Sequence, residues 1–370
     1  IQDGRPDWGS EDCLTLNVWP PVGAAGAKRP VLVWIHGGGF INGHGDMFGA
    51  ERLATRGDIV VVTLNYRIGA FGFLAHPALG PRGQVGNYGL LDQQAALRWV
   101  RDNITGFGGD PARVTVAGES AGGMSVCDHL VAPASAGLFR SAIIQSGPCQ
   151  EQVDLAAAQP VSERYAARVG CADPDTAADC LRALPVDKLA TAPWYVHIDT
   201  HGLTGPVSGT RVLPVDPPTG FAAGRAARVP VLIGANRDEF TVFAALTYRR
   251  TGHALTAGQY PDALARTVGV DAAAVAAEYP PGRFGDNVSL AFAAALGDHV
   301  FSCPTEEMVA ALADHAPAVY AYEFDDPHAV APEPLTRVPF PLGATHSLEL
   351  RYLFRDRKST RLNSSHITIS

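Results

Sequence analysis

The chain has 370 residues, 46% hydrophobic and 18% charged, with a formal net charge of −8. This composition fits a globular protein with a large core, in one large domain or two. An acidic balance without a dense Lys/Arg cluster argues against nucleic acid as a partner, and no apolar run approaches membrane-spanning length. No signal peptide is visible in a chain that opens on Ile1, so its localisation stays open between secreted and cytoplasmic.

In chain order, the first apolar β-branched run is VLVWI from Val31, which leads straight into WIHGGGF, Trp34 to Phe40. IVVVTLNY follows from Ile59. From Tyr88 to Ile104, Leu90, Leu97, Val100 and Ile104 recur at helical spacing, and glycines 106, 108 and 109 stop the helix. RVTVAG from Arg113 reads as a strand, GESAG (Gly118 to Gly122) as a turn, and Ala121 to Leu130 as a helix. SAIIQ from Ser141, VPVLIG from Val229 and AVYAYEF from Ala318 complete the set of strands, all read as buried on both faces. Cys171 and Cys180 are placed to close a short surface loop as a disulfide, with two ordinary thiols as the alternative. The Pro/Gly/Ala-rich stretch from Gly202 to Arg228 reads as a long surface excursion. Strands alternating with helices predict an α/β fold with a mostly parallel central sheet, whose ligand sites gather at the carboxyl ends of the strands.

The last stretch, RKSTRLNSSHITIS from Arg357, departs from this pattern. It is rich in Ser, Thr and Asn and has no apolar period. It is set apart as a non-native tail, 357–370, from a domain spanning 1–356.

Two motifs carry chemistry. Ser120 lies in G-x-S-x-G at the junction of a strand and a helix, where a sharp turn strains the backbone and pushes the hydroxyl out above the sheet. A helix N-cap serine would fit the same letters, so the context decides for a nucleophile. The three glycines of HGGG, Gly37 to Gly39, expose backbone N–H groups to a ligand. A tetrahedral acyl-transfer intermediate needs such donors aimed at its oxyanion, and the N–H of Ala121 adds another. A phosphate loop would want a following Lys-Ser/Thr, and none is present.

Together with EDCLTLNVW (Glu11 to Trp19), NYRIGAFGFL (Asn65 to Leu74) and GNYGLLDQQAALRWVRDNITGFGGDP (Gly86 to Pro111), these motifs resemble the type-B carboxylesterases. That α/β-hydrolase family includes bacterial para-nitrobenzyl esterases and animal cholinesterases. The resemblance runs from about Glu11 to Phe354 and weakens after Gly147. It implies a serine hydrolase acting on a small-molecule carboxylic ester through an acyl-enzyme on Ser120, with no metal or cofactor. The family's acid segment matches NRDEFTVF, Asn236 to Phe243, and falls on Glu239, with Asp238 as the rival carboxylate. Phe240 stands where the family usually has Gly, which implies an altered turn or a pocket-lining ring. The base segment matches GATHSLEL and falls on His346; His36 is assigned to orienting the HGGG turn, and His44 and His76 are rivals by position only.

The implied catalytic set is therefore Ser120, Glu239 and His346, with Gly38, Gly39 and Ala121 as the oxyanion hole. By the same resemblance Glu119 lies at the gorge floor or turns into a hydrogen-bond network, and Ser146 supports the acid. Cys13 lacks its family partner and is expected as a free thiol. Family members begin with further strands and continue past the histidine segment, so a domain incomplete at both ends is expected. The competing readings are a catalytically inactive binding or adhesion protein on the same scaffold, and a non-functional esterase fragment.

Overall fold

The computed structural model describes residues 9–23, 26–198, 200–354 and 367–369. Its centre is an eight-stranded sheet: β1 (Leu16–Trp19), β2 (Arg29–Ile35), β3 (Val60–Leu64), β4 (Gly109–Glu119), β5 (Ser141–Gln145), β6 (Val231–Asn236), β7 (Val319–Phe324) and β8 (Ile367–Ile369). The order across the sheet is β7-β6-β5-β4-β2-β3-β1-β8. Pairs from β7 through to β3 are parallel; β3–β1 and β1–β8 are antiparallel. All six strands expected from the apolar runs are present. LNVW of β1 is an additional, antiparallel one. Of the stretch set apart as a tail, 357–366 and Ser370 lie outside the described residues, and the backbone of β8 pairs with β1.

The runs become strands because β-branched side chains suit a pleated surface covered on both faces. All five residues of β3 are buried, and Val60, Val62 and Leu64 pack in the main core with Val31, Val33, Ile35, Val114 and Val116. β7 departs from this reading. It is an edge strand, and Tyr320 is 63% exposed. A continuous apolar run marks a strand but does not say whether a neighbour covers it.

Two helices pack together beneath the central sheet's strand ends, joined by Gln93. Helix α1 (Tyr88–Asn103) closes in a 3-10 turn, with Gly108 in the left-handed region, φ 80°. Helix α2 (Ala121–Val131) is buried at every position. A helix without a solvent face needs its polar groups matched inside. Gln93 of α1 donates to Ser125 (3.0 Å) and meets His129 Nε2 (3.0 Å), while His129 Nδ1 meets Ser135 Oγ (2.8 Å).

The stretch expected as a surface excursion is partly inside: 204–208 are buried, whereas 222–225 are exposed. Val207, Leu213 and Phe221 are buried, the last two in the main core, because proline and glycine set its turns while its few large apolar residues point inward.

Two disulfides form. Cys171–Cys180 matches the expectation; Cys127–Cys149 joins α2 to the segment after β5. Cys13 is a free, buried thiol. The Cys127–Cys149 bridge spans 22 residues and both cysteines are fully buried. Closing a loop of that size restricts the unfolded chain by about 3 kcal/mol. Replacing both cysteines by alanine is expected to lower unfolding free energy by about 2–4 kcal/mol, read from denaturant midpoints at a common slope. An unshifted midpoint would contradict a stabilising role.

Candidate active site

The chemistry-bearing residues sit where parallel strands end. β4 runs into Ser120, which has φ 57° and ψ −123°, a backbone conformation rare for a non-glycine residue. Close approach of three backbones forces it. A Cβ on Gly122 would lie 2.0 Å from Ile35 O at the end of β2, and one on Gly118 would lie 2.4 Å from Gly122 O. With no room for side chains beside it, the serine takes the strain, and its side chain faces a cavity of about 330 Å³.

That cavity is also lined by Gly38, Gly39, Ala121 and His346. Gly38 (φ 105°) and Gly39 (φ 61°) turn the loop after β2. Their N–H groups make no hydrogen bond among the described residues. Ala121 opens α2, so its N–H has no earlier helical turn to bond to. His36 braces the loop: Nδ1 lies 2.8 Å from Gly37 O, and the ring stacks on Tyr66 with centroids 4.4 Å apart. Burial pushes its pKa down to about 4, so the bracing imidazole is neutral. His44 and His76 do not line the cavity; His76 caps a short turn by accepting from Ala78 N.

After β6 the two rival carboxylates separate. Asp238 accepts from Ala344 N (2.8 Å) and pairs with Arg237. Glu239 is fully buried, accepts from Asn236 N (2.7 Å) and holds His346 Nδ1 at 2.6 Å. Phe240 begins the next helix, α3 (Thr241–Thr251), in ordinary helical geometry, and its ring lines the cavity.

The imidazole has a second carboxylate. Nε2 lies 3.2 Å from Glu119 Oε1, which also accepts from Ser347 Oγ. No hydrogen bond joins Ser120 Oγ to the ring. Glu119 therefore turns inward to the histidine rather than forming the cavity wall. Glu349 completes the cluster, accepting from Asn236 Nδ2 (2.6 Å) and Gln145 Nε2 (3.4 Å). Ser146 is buried with φ 49° and an unpartnered hydroxyl.

Three buried carboxylates around one imidazole redistribute protons. Burial alone would push His346 down; Glu119 and then Glu239 outweigh it and hold the pKa up at about 9. Burial raises Glu119, against the opposing pull of His346 and Ser347. Burial also raises Glu349 to about 8, with Glu119 adding to the shift. The carboxylates on either side thus favour the imidazolium form of the ring, Glu239 through a hydrogen bond to Nδ1 and Glu119 through its charge 3.2 Å from Nε2.

Sequence reasoning brought out Ser120, His346, Glu239 and the glycine loop; Ser120, His346 and the loop line one cavity, and Glu239 is buried against the imidazole. That reasoning did not bring out Glu349 or Ser347, although both stand in the GATHSLEL segment beside the histidine. Nor did it reach the aromatic wall of Phe243 and Phe301, whose rings lie 5.4 and 5.2 Å from the imidazole.

A mostly parallel sheet that turns at a strained serine into a buried helix, with an imidazole and its carboxylate supplied by later loops, is the architecture of an α/β-hydrolase. The chain belongs to the carboxylesterase family, whose model matches residues 2–366. It is 41% identical over 243 residues to the para-nitrobenzyl esterase of Bacillus subtilis (strain 168), covering 63% of this chain and 48% of that one. It is 35% identical to the fumonisin B1 esterase of Sphingopyxis macrogoltabida, covering 93% of this chain and 61% of the relative. A solved PNB esterase superimposes with a TM-score of 0.76 at 33% identity, covering 95% of this chain and 72% of its own. The chain thus spans about half the length of the Bacillus enzyme.

In nitrogen NMR of the labelled histidines, His346 is expected to titrate near 9. Glu119→Gln removes the largest charge that favours the imidazolium, so its pKa should fall. A titration unchanged by that substitution would contradict the pairing.

Proposed function

We propose that this chain is a serine hydrolase that cleaves small carboxylic esters through an acyl-enzyme on Ser120. The observation that carries the reading is the shared cavity: the strained serine and the Glu239-bound imidazole both line it, beside glycine N–H groups free to receive an oxyanion. In the proposed reaction His346 gives up its proton to solvent, takes one from Ser120 as the hydroxyl attacks the ester carbonyl, and returns it to the leaving alcohol. Water then attacks the acyl-enzyme by the same route and releases the acid. Glu239 fixes the ring's tautomer and favours the imidazolium that forms. The N–H groups of Gly38, Gly39 and Ala121 stabilise the tetrahedral oxyanion, each worth about 2.7–4 kcal/mol in the transition state.

The cavity favours neutral, largely apolar esters. Ile41, Met124, Leu203, Phe240, Phe243 and Phe301 contribute its apolar lining, and no Asp, Glu, Lys or Arg lines it among the described residues. The para-nitrobenzyl esterase relative fits such a substrate. A binding protein on the same scaffold has no need of a strained serine facing a carboxylate-bound histidine, so that alternative is not favoured.

Hydrolysis of p-nitrophenyl acetate is expected, falling roughly 10⁶-fold in Ser120→Ala. Because the base must be neutral, kcat/KM should rise as pH climbs through about 9. Hydrolysis that survives Ser120→Ala, or a rate that falls as pH rises across that window, would overturn the assignment.

A further inference from the structure

A second cavity, of about 140 Å³, lies behind the first. Thr200, His253, Leu255, Arg266 and Phe292 are among its lining residues. Among the described residues the two cavities share two lining side chains, Phe240 and Phe243. These rings pack against each other with centroids 4.8 Å apart, and Phe240 meets Phe292 edge-on at 6.4 Å. Phe243 leans on the imidazole of His346, at 5.4 Å. Phe240 makes no ring contact with the imidazole and stands in the partition. It is 3% exposed, so the ring fills the gap rather than swinging in solvent. Its backbone, φ −85° and ψ −4°, is open to any residue, so nothing in the turn demands a phenyl group.

We propose that Phe240 is a specificity-determining residue: its ring closes the reacting cavity off from the second one and limits the length of the linear apolar arm an ester can carry. This rests on the esterase reading and adds the substrate class, short-chain esters. Removing the ring would join the two spaces. Methylenes that leave water for an apolar space are worth about four-fold each in binding. Three or four of them, threaded past Ala244 and Phe292, would raise the preference for a long chain by about two orders of magnitude.

The test uses the full chain and two substrate series, p-nitrophenyl alkanoates and alkyl acetates, from two to ten carbons. The quantity read is the ratio of kcat/KM for the ten-carbon ester to that for the two-carbon ester. In Phe240→Ala that ratio should rise at least ten-fold in one series, and adding Ala244→Leu, which refills the second cavity, should return it toward the parent value. Phe240→Leu, a milder cut that preserves the core, should give a rise of several-fold and carries the test if the alanine variant does not fold. Calorimetry with decanoate needs no turnover and should show binding at least ten-fold tighter in Phe240→Ala or, in its place, detectably tighter in Phe240→Leu. If serine-dependent hydrolysis of the two-carbon esters is intact and neither series shows a rise, the partition is rejected and the esterase reading stands. If no serine-dependent hydrolysis is found, the esterase reading fails, and the decanoate titration decides the partition: unchanged affinity rejects it.

Discussion

The site depends on a steric constraint at the end of β4. Gly118 and Gly122 lie so close to each other and to the end of β2 that neither has room for a Cβ. The chain can turn from strand to helix there only by placing Ser120 in an unfavourable backbone region. That turn sets the hydroxyl on the cavity and the first N–H of α2 next to it. It also drives a helix with no solvent face through the core, which is why α2 needs the glutamine and histidine bonds to α1 and the disulfide to the segment after β5. The strain is local, and the packing that enforces it comes from the ends of β2 and β4 and the start of α2.

The second constraint is electrostatic. One imidazole is shared by two buried carboxylates, with a third close by. In water such a group would disperse; under the loops after β4 and β6 it is held by Asn236, Ser347 and Gln145, each donating to a carboxylate oxygen. Because the cluster carries more potential negative charge than its surroundings can solvate, its groups are pushed toward their protonated forms, His346 by the carboxylates beside it and Glu349 by burial. In the proposed reaction Nε2 must be neutral, so that its lone pair can accept the proton of Ser120.

Much of this was legible in the sequence, for identifiable reasons. The inner strands show because both their faces are covered, so VLVWI and SAIIQ read as unbroken apolar runs. Local sequence could not separate an edge strand from an inner one, and AVYAYEF was read as buried although Tyr320 lies in solvent. Composition was a partial guide at Gly202 to Arg228, where 222–225 are exposed while Val207, Leu213 and Phe221 are buried. Ser120 was visible because the elbow needs glycines at fixed offsets. His346 and Glu239 came through resemblance, since nothing near a lone histidine announces a carboxylate 107 residues away. Glu119's contact with the imidazole, the Cys127–Cys149 bridge and the double aromatic wall are products of tertiary folding. Their partners lie on elements far apart in the chain, and no local period records the pairing.

The central claim is that Ser120 and His346 act as one chemical unit. It is tested most directly by exposing the protein to a fluorophosphonate, which reacts only with a serine activated by a base, and locating the adduct by peptide mass spectrometry. The account predicts a single adduct on the peptide containing Ser120 and its loss when His346 is replaced by alanine in folded protein. An adduct on another serine, or one on Ser120 that forms as fast without the imidazole, would contradict it.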